Sequence, residues 1–355
     1  MNSIDEIQSC VTENNKIHII GNGTKTALMT TASDITILSL AGLSGITEYQ
    51  PEEYTVTAKA GTPLLEIQDA LRKNSQYLPF DPLLAKTATI GGTIASNLSG
   101  SRRYRYGGIR DFILGTTVVD GRGQAFRCGG KVVKNSAGFD LPKFFVGSLG
   151  KYAVLTELTF KIFPEPPDFT TLQLHFDTLD DALSAIYFIN QSIFELDALD
   201  LEPDTNQWKM FVRITGTKDT LLERTQRFLS VLKVNTALKN STELASDATP
   251  WESINDLSWV DESKTLVKIV LSPKQIPALD GEIQKLNIQR RYSVGGNIAW
   301  VTTDNLVSLS TILESHQLSG LPIVGKTDSA IIGKSIDNVL SDRVKHVFDP
   351  ENKFC

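Results

Sequence analysis

Four glycine-rich stretches hold the first chemical possibility in this sequence. They are GNGTK (21–25), TIGGTIASNLSG (89–100), RYGGIRD (105–111) and VGSLG (146–150). None has the G-x-x-x-x-G-K-[ST] spacing of a phosphate loop, and none is a G-x-G-x-x-G between a strand and a helix. Taken singly, each glycine is equally well a turn or a close crossing of two backbones. Taken together, they read as loops whose main-chain N–H groups bind a diphosphate, since glycine lets the backbone come close. Each charge-assisted bond of that kind is worth roughly 1.5–3 kcal/mol, and a nanomolar ligand needs about 12 kcal/mol. Two such loops supply much of that, and burial of an apolar ring system supplies the remainder.

Ile90, Ile94, Ala95 and Leu98 offer apolar neighbours for a ring. A nucleotide with a large flat ring therefore fits better than ATP, and FAD is the favoured ligand. Gly91 and Gly92 are the expected donors of main-chain amides to its diphosphate.

Acid–base and metal chemistry find little support. The four histidines, His18, His175, His316 and His346, are scattered over predicted strands and helices. Cys10, Cys128 and Cys355 are far apart and form no C-x-x-C, which argues against an iron–sulfur cluster held by this chain. No metal site is expected. Arg102, Arg103, Arg105 and Arg110 cluster with Tyr104 and Tyr106. That run suits phosphate neutralisation, a grip on a carboxylate substrate or an acidic partner surface, or simply a solvated loop. Stacking on single-stranded nucleic acid carries less weight in an acidic chain. Lys134 and Asn135 either reach the ligand or cap the following helix.

The elements that must position these residues follow from periodicity. KIHII (16–20), ITILSL (35–40) and the alternating YTVTAKAG (54–61) read as strands. Thr62 is the expected N-cap and Pro63 the first residue of a helix that buries Leu64, Ile67 and Leu71. FILGTTVVD and QAFRCGGKVV flank Asp120-Gly121-Arg122-Gly123, a hairpin signal. AVLTELTFKIF (153–163) is a long strand ending at PEPP (164–167), the expected domain boundary. Strands and helices then alternate, beginning with TLQLHF (171–176) and a helix capped by Thr178 with Asp181 three residues on. The strand WKMFVRITG and the helix 219–233 continue the pattern, as do the strands 265–272 and 296–303 and the helices near 274–286 and 304–317. A last helix is expected at about 335–347.

The chain has 355 residues, 41% hydrophobic and 21% charged, with a net charge of −6. That is long for one core and acidic for a nucleic-acid binder. The polar start MNSIDEIQSC is not a secretory leader, and no stretch is apolar enough to span a bilayer. Sparse cysteine suits a reducing compartment. The expected location is the cytoplasm, with peripheral attachment to the inner face of the membrane through partners left open.

TIGGTIASNLSG, YGGIRDFILGTTVVDGRG, KVVKNSAGFDLPKFFVGSLGKYAVLTEL and the closing FDPENKF resemble the FAD-binding (PCMH-type) domain of the vanillyl-alcohol oxidase/para-cresol methylhydroxylase superfamily. Within it, the chain is most similar to the FAD-binding E subunits of bacterial glycolate oxidases. The resemblance is continuous over about the first 165 residues. It implies an α+β fold: an FAD-binding domain over 1–165, made of two α+β subdomains (about 1–80 and 81–165). A smaller α+β, ferredoxin-like cap over 166–330 follows, and a C-terminal helix and tail (331–355) return to the first domain.

The resemblance also implies roles. Gly21, Asn22, Gly23, Thr24 and Lys25 match the first phosphate loop. Thr89, Ile90, Gly91, Gly92, Ala95, Ser96 and Gly100 match the second, along the pyrophosphate and ribityl chain. Tyr106, Gly107 and Asp111 match the continuation of that wall, and Gly147, Gly150, Val154 and Leu155 the adenosine side. The first loop lacks the histidine that links covalently to flavin in many relatives, so a non-covalent flavin is expected.

Departures matter too. Where many relatives read Gly-Ser-Glu-Gly-Thr-Leu-Gly, this chain has Gly147-Ser148-Leu149-Gly150-Lys151-Tyr152-Ala153. The His-x-Gly-Asp-Gly-Asn motif of catalytic relatives is missing, and the tail stops before Asn-Pro-Gly. The catalytic residues are therefore unassigned. The resemblance implies an FAD-binding subunit of a glycolate oxidase-type complex that oxidises a 2-hydroxy acid to a 2-keto acid. A sister FAD subunit would assist the chemistry, and an iron–sulfur subunit would take the electrons. Two alternatives remain: a flavin-less structural or assembly subunit, and a stand-alone FAD-dependent oxidoreductase acting on another alcohol.

Overall fold

A computed structural model describes residues 1–29, 32–130, 140–246, 248–286, 288–327, 329–335 and 339–355. Three sheets carry most of the architecture. Ile17–Ile20 and Thr36–Ser39 form a small parallel pair, and the chain end joins it: Ile17 donates to Lys353 O at 2.7 Å and Cys355 donates to Ile17 O at 3.0 Å. A five-stranded antiparallel sheet runs in the order Ile46–Gln50, Thr55–Lys59, Val154–Lys161, Ile113–Val119, Ala125–Gly129. This sheet takes strands from both sides of residue 80, so the sheets do not divide where the two subdomains were expected to.

The nine-stranded antiparallel sheet spans 168–333 and is built from two similar halves. Each half runs strand, helix, strand, strand, helix, strand, the ferredoxin-like order. The halves meet where Leu201 of Ala198–Asp204 pairs with Tyr292 of Arg290–Ser293. Helices Leu179–Gln191, Lys218–Asn235, Ile276–Ile283 and Leu306–Ser315 bury residues in the apolar cluster of this sheet.

Local expectations meet the structure at several points. Thr178 accepts from Asp181 N at 3.1 Å and donates to its carboxylate at 2.7 Å. In the expected hairpin Val119 pairs with Ala125, and Asp120 N donates to Gln124 O at 3.0 Å. The helix Leu64–Arg72 buries Leu64, Ile67 and Leu71, but its N-cap is Pro63. The Thr62 hydroxyl is engaged elsewhere, donating to Lys59 O at 2.6 Å and accepting from Gly45 N at 3.0 Å. Lys134 and Asn135 lie outside the described residues. No helix among the described residues is long and apolar enough to cross a membrane.

The arginine run is where the two halves of the chain interlock. Arg102 lies 2.9 Å from Asp197, whose side chain is fully buried and also 3.7 Å from Arg213. The Arg102 guanidinium sits 4.1 Å over the Tyr77 ring and 5.3 Å over Phe169. Next to it, Ser101 donates to Asp200 at 2.6 Å and Arg105 pairs with Glu195 at 3.2 Å. Of the readings open for this run, the acidic surface it grips is the chain's own second sheet. Asp197→Asn would leave the buried Arg102 guanidinium without that carboxylate, and removing one partner of such a pair costs about 3 kcal/mol or more. We expect a clearly lower urea midpoint for that variant by circular dichroism. Lys16→Met, which breaks the solvent-exposed pair with Asp34, should leave the midpoint unchanged.

Candidate functional site

The helix Ile90–Ser96 forms one wall of a cleft of about 480 Å³. Thr89 caps it, accepting from Gly92 N at 3.4 Å. Its first turn is bound to the end of the neighbouring strand: Ile90 donates to Thr62 O at 3.0 Å and Gly91 to Ala60 O at 2.8 Å. The N–H of Gly91 is therefore already used, which corrects the expectation that it is offered to a ligand. The requirement for glycine here is steric, because a Cβ on Gly91 would lie 2.7 Å from Ala60 Cβ and 2.8 Å from its carbonyl oxygen. Gly92, Ala95 and Ser96 also line the cleft, and Ser96 folds its hydroxyl back onto Gly92 O at 2.7 Å.

The loop Gly21–Lys25 forms the second wall. Gly21 packs against the Thr89 side chain so closely that any Cβ would collide with it. Gly23 has φ +67°, and Asn22 anchors the loop by donating from Nδ2 to Thr87 O at 3.0 Å. Among the described residues, the main-chain N–H groups of Asn22, Gly23, Thr24 and Lys25 have no hydrogen-bond partner in the chain. The Lys25 ammonium approaches Gly92, 4.0 Å from where a Cβ would stand there. It has no carboxylate partner among the described residues, and burial lowers its pKa from 10.5 to about 8.

The third wall mixes apolar and polar residues. Ile19, Leu149, Ala153 and Leu155 line it, with Gly150 at φ +77° packed on Ile19. Lys151 adds a second cation. Thr327, Ser329 and Ala330 arrive from the second sheet, held near the loop by Gly325 N donating to Thr26 Oγ1 at 2.9 Å. His18 and Cys355 complete the lining. Burial pushes the His18 imidazole below its usual value, opposed by a hydrogen bond to the main chain of Cys355. Among the described lining residues there is no aspartate or glutamate, in a chain that carries 41 of them.

The structure brings together Gly21, Asn22, Gly23, Thr24, Lys25, Thr89, Gly91, Gly92, Ala95, Ser96, Gly150 and Leu155. It places the other expected site residues elsewhere. Ile90 and Val154 are fully buried in the apolar core. Gly147, at φ +81°, donates to Ile94 O at 2.9 Å behind the cleft. Gly100 packs against Asp81 and Asn255. Tyr106 stacks edge-on with Tyr77 and Phe163. Asp111 accepts from Gly108 N at 2.8 Å beside Gly107. Of these, Gly100 meets the second half of the chain at Asn255.

His18, Cys355, Thr327, Ser329 and Ala330 carry no motif. They reach the cleft through the parallel pairing of Ile17 with Phe354 and through the second sheet's edge, which only the tertiary fold reveals. Of the other histidines, His175 bonds Gln173 at 2.9 Å, and neither it nor His316 and His346 line the cleft.

Comparison with known proteins agrees with this geometry. The chain is 37% identical over 184 residues to the glycolate oxidase subunit GlcE of Escherichia coli (strain K12), a match covering 52% of each chain. It is 35% identical over 150 residues to the glycolate oxidase subunit GlcD of Bacillus subtilis (strain 168), covering 42% of this chain and 32% of that one. A D-lactate dehydrogenase of Anaerostipes hadrus is 32% identical over 175 residues, 48% of this chain and 37% of its own. The chain thus spans about half the length of these curated relatives or less. A solved alkyldihydroxyacetonephosphate synthase has the same fold, with a TM-score of 0.74 at 16% identity over 99% of this chain and 75% of that one. Residues 2–129 match the family described as FAD binding domain.

Proposed function

We propose that this chain is the FAD-binding subunit of a glycolate oxidase-type complex that oxidises a 2-hydroxy acid to the 2-keto acid. The observation that carries the reading is the desolvated Lys25 ammonium, without a carboxylate partner, beside four unpartnered main-chain N–H groups, in a cleft whose described lining holds no aspartate or glutamate. A buried cation without a counter-charge is costly unless an anion joins it, and the diphosphate of FAD is such an anion. Ile19, Leu149, Ala153 and Leu155 offer apolar surface for a ring. The loop Gly21–Lys25 holds no histidine, which supports a non-covalent flavin. FAD, when bound, supplies a two-electron acceptor for the alcohol.

Removing the hydroxyl proton of a 2-hydroxy acid needs a base. Among the described residues the cleft offers no aspartate or glutamate side chain, and its imidazole, His18, is bonded to the main chain of Cys355. That supports a division of labour, with a sister flavin subunit assisting the chemistry and an iron–sulfur subunit taking the electrons. Two relatives, each a glycolate oxidase subunit, support membership of such an assembly. Purified alone, the chain should take up FAD, release it intact on acid denaturation, and turn over glycolate or D-lactate poorly with an artificial acceptor. Addition of its sister subunits should raise that turnover. A chain that takes up no FAD would sink this reading.

The Lys25 charge makes a sharper test. Its pKa in the fold is below its unfolded value, so folding releases a proton between about pH 8 and 10.5. The free chain should accordingly gain stability as pH rises through that window and bear the cost of the buried charge below it. A bound anion reverses the preference and restores the proton. FAD affinity should therefore be highest below about pH 8 and fall as pH rises to 10, by up to about tenfold per unit. Lys25→Met should weaken FAD by about 1.5–3 kcal/mol at pH 7, roughly 10- to 150-fold, and flatten that pH profile. The same variant should melt no lower than wild type without ligand. Flavin fluorescence titration and scanning calorimetry check these outcomes.

A further inference from the structure

Leu149 has φ +54°, in the left-handed region that a branched side chain seldom occupies and that carries a backbone cost. It stands between Gly147 at +81° and Gly150 at +77°, so glycine is used nearby for the same purpose. Glycine at 149 would adopt this conformation without strain. Two bonds hold the turn: Gly147 N donates to Ile94 O at 2.9 Å, and Leu149 N to Ala95 O at 2.8 Å. Both acceptors are carbonyls of the last turn of Ile90–Ser96, and Ile94 O also accepts from Asn97 N at 3.1 Å. These bonds use main chain throughout and would form equally well with glycine. The turn therefore gives no reason for a leucine. Leu149 is half-buried and lines the cleft, where Ile19, Ala153 and Leu155 make the rest of an apolar wall.

We infer that Leu149 is a specificity-determining residue of the cleft, its side chain forming an apolar shelf for the planar ring of the bound nucleotide. The inference rests on the proposal that the cleft binds FAD. The backbone strain is the counterpart of that contact, retained because glycine could hold the turn but could not cover a ring face. Leu149 meets the helix Ile90–Ser96 at Ala95, in its last turn, whereas Lys25 lies beside Gly92 in its first. Ring and phosphate recognition should therefore respond separately to substitution at 149.

The test compares Leu149→Gly and Leu149→Met with wild type by FAD titration, by competition with inorganic pyrophosphate, and by melting of the ligand-free chain. Leu149→Gly should melt at or above wild type and bind FAD about tenfold more weakly, the scale of losing one leucine-sized apolar contact. Leu149→Met, which keeps the apolar bulk, should stay within about threefold of wild type. Pyrophosphate has no ring, so its own affinity, read from the competition, should be the same for all three. Unchanged FAD affinity in Leu149→Gly overturns the shelf. So does a fall in melting temperature with FAD and pyrophosphate weakened together, since the leucine would then serve the fold. Wild-type protein that binds no FAD overturns the cofactor reading, and the shelf with it, and the wild-type titration shows this before any variant is compared.

Discussion

The approach of Gly91 to the main chain of Ala60 is the constraint on which the cleft depends. It lets the helix Ile90–Ser96 start hard against the end of the strand Thr55–Lys59, with Gly91 N bonded to Ala60 O at 2.8 Å. That contact fixes Thr89, and Thr89 in turn sets how closely Gly21 can pass. The loop Gly21–Lys25 then has to turn across the start of the helix, which brings the Lys25 ammonium to Gly92. At the other end, the helix carbonyls of Ile94 and Ala95 are met by Gly147 and Leu149, and Asn97 O accepts from Lys268 Nζ at 2.9 Å. A seven-residue helix is a weak element by itself. Here both of its ends are tied to other segments, one of them from the second sheet.

Buried cations serve two different ends in this molecule, and their partners tell them apart. Arg102 is surrounded by the Asp197 carboxylate and by the faces of Tyr77 and Phe169, so its charge is answered from within the chain. Arg291 meets Glu202 and Arg290 meets Asp280 in the same manner. Lys268 is also desolvated, which lowers its pKa to about 8, but a main-chain carbonyl receives it. Lys25 has neither carboxylate nor carbonyl among the described residues, and it faces open space. Arginine's planar fork suits the permanent pairs, while a lysine with a lowered pKa gains or loses its proton according to what enters the cleft.

The sequence made much of the fold legible where local physics was strong. The alternation of 153–163, the Thr178 cap and the Asp120–Gly123 turn needed no tertiary information, because period, cap and hairpin chemistry are set within a few residues. Thr62 misled because its hydroxyl serves the turn to Gly45 and not the helix, a choice made by a partner 17 residues away. The glycine loops told which segments converge, but not what each glycine does there. Gly91 turned out to be a steric requirement, Gly100 packs against Asp81 and Asn255, and Gly107 faces the Asp111 side chain. The arginine run was legible as a site for carboxylates, yet those carboxylates lie some 90 residues further along the same chain. His18 and Cys355 could not be foreseen, since the parallel bridge between Ile17 and Phe354 alone brings them together.

What the chain builds around its cleft differs from what an oxidation needs, and the difference is chemical. Holding a dinucleotide takes amides, a cation and apolar walls, all of which converge here. Taking a proton from an alcohol takes a base with a free lone pair and a pKa near the working pH. The described carboxylates of the chain's interior are spent elsewhere: Asp197 on Arg102 and Arg213, Asp280 on Arg290, and Asp200 on Ser101 and Ser293. Asp197 and Asp200 belong to the junction that holds the second sheet against the first, and Asp280 braces the second sheet itself. The interlock between the two halves thus takes up Asp197 and Asp200, two of the described acids that lie deepest in the chain.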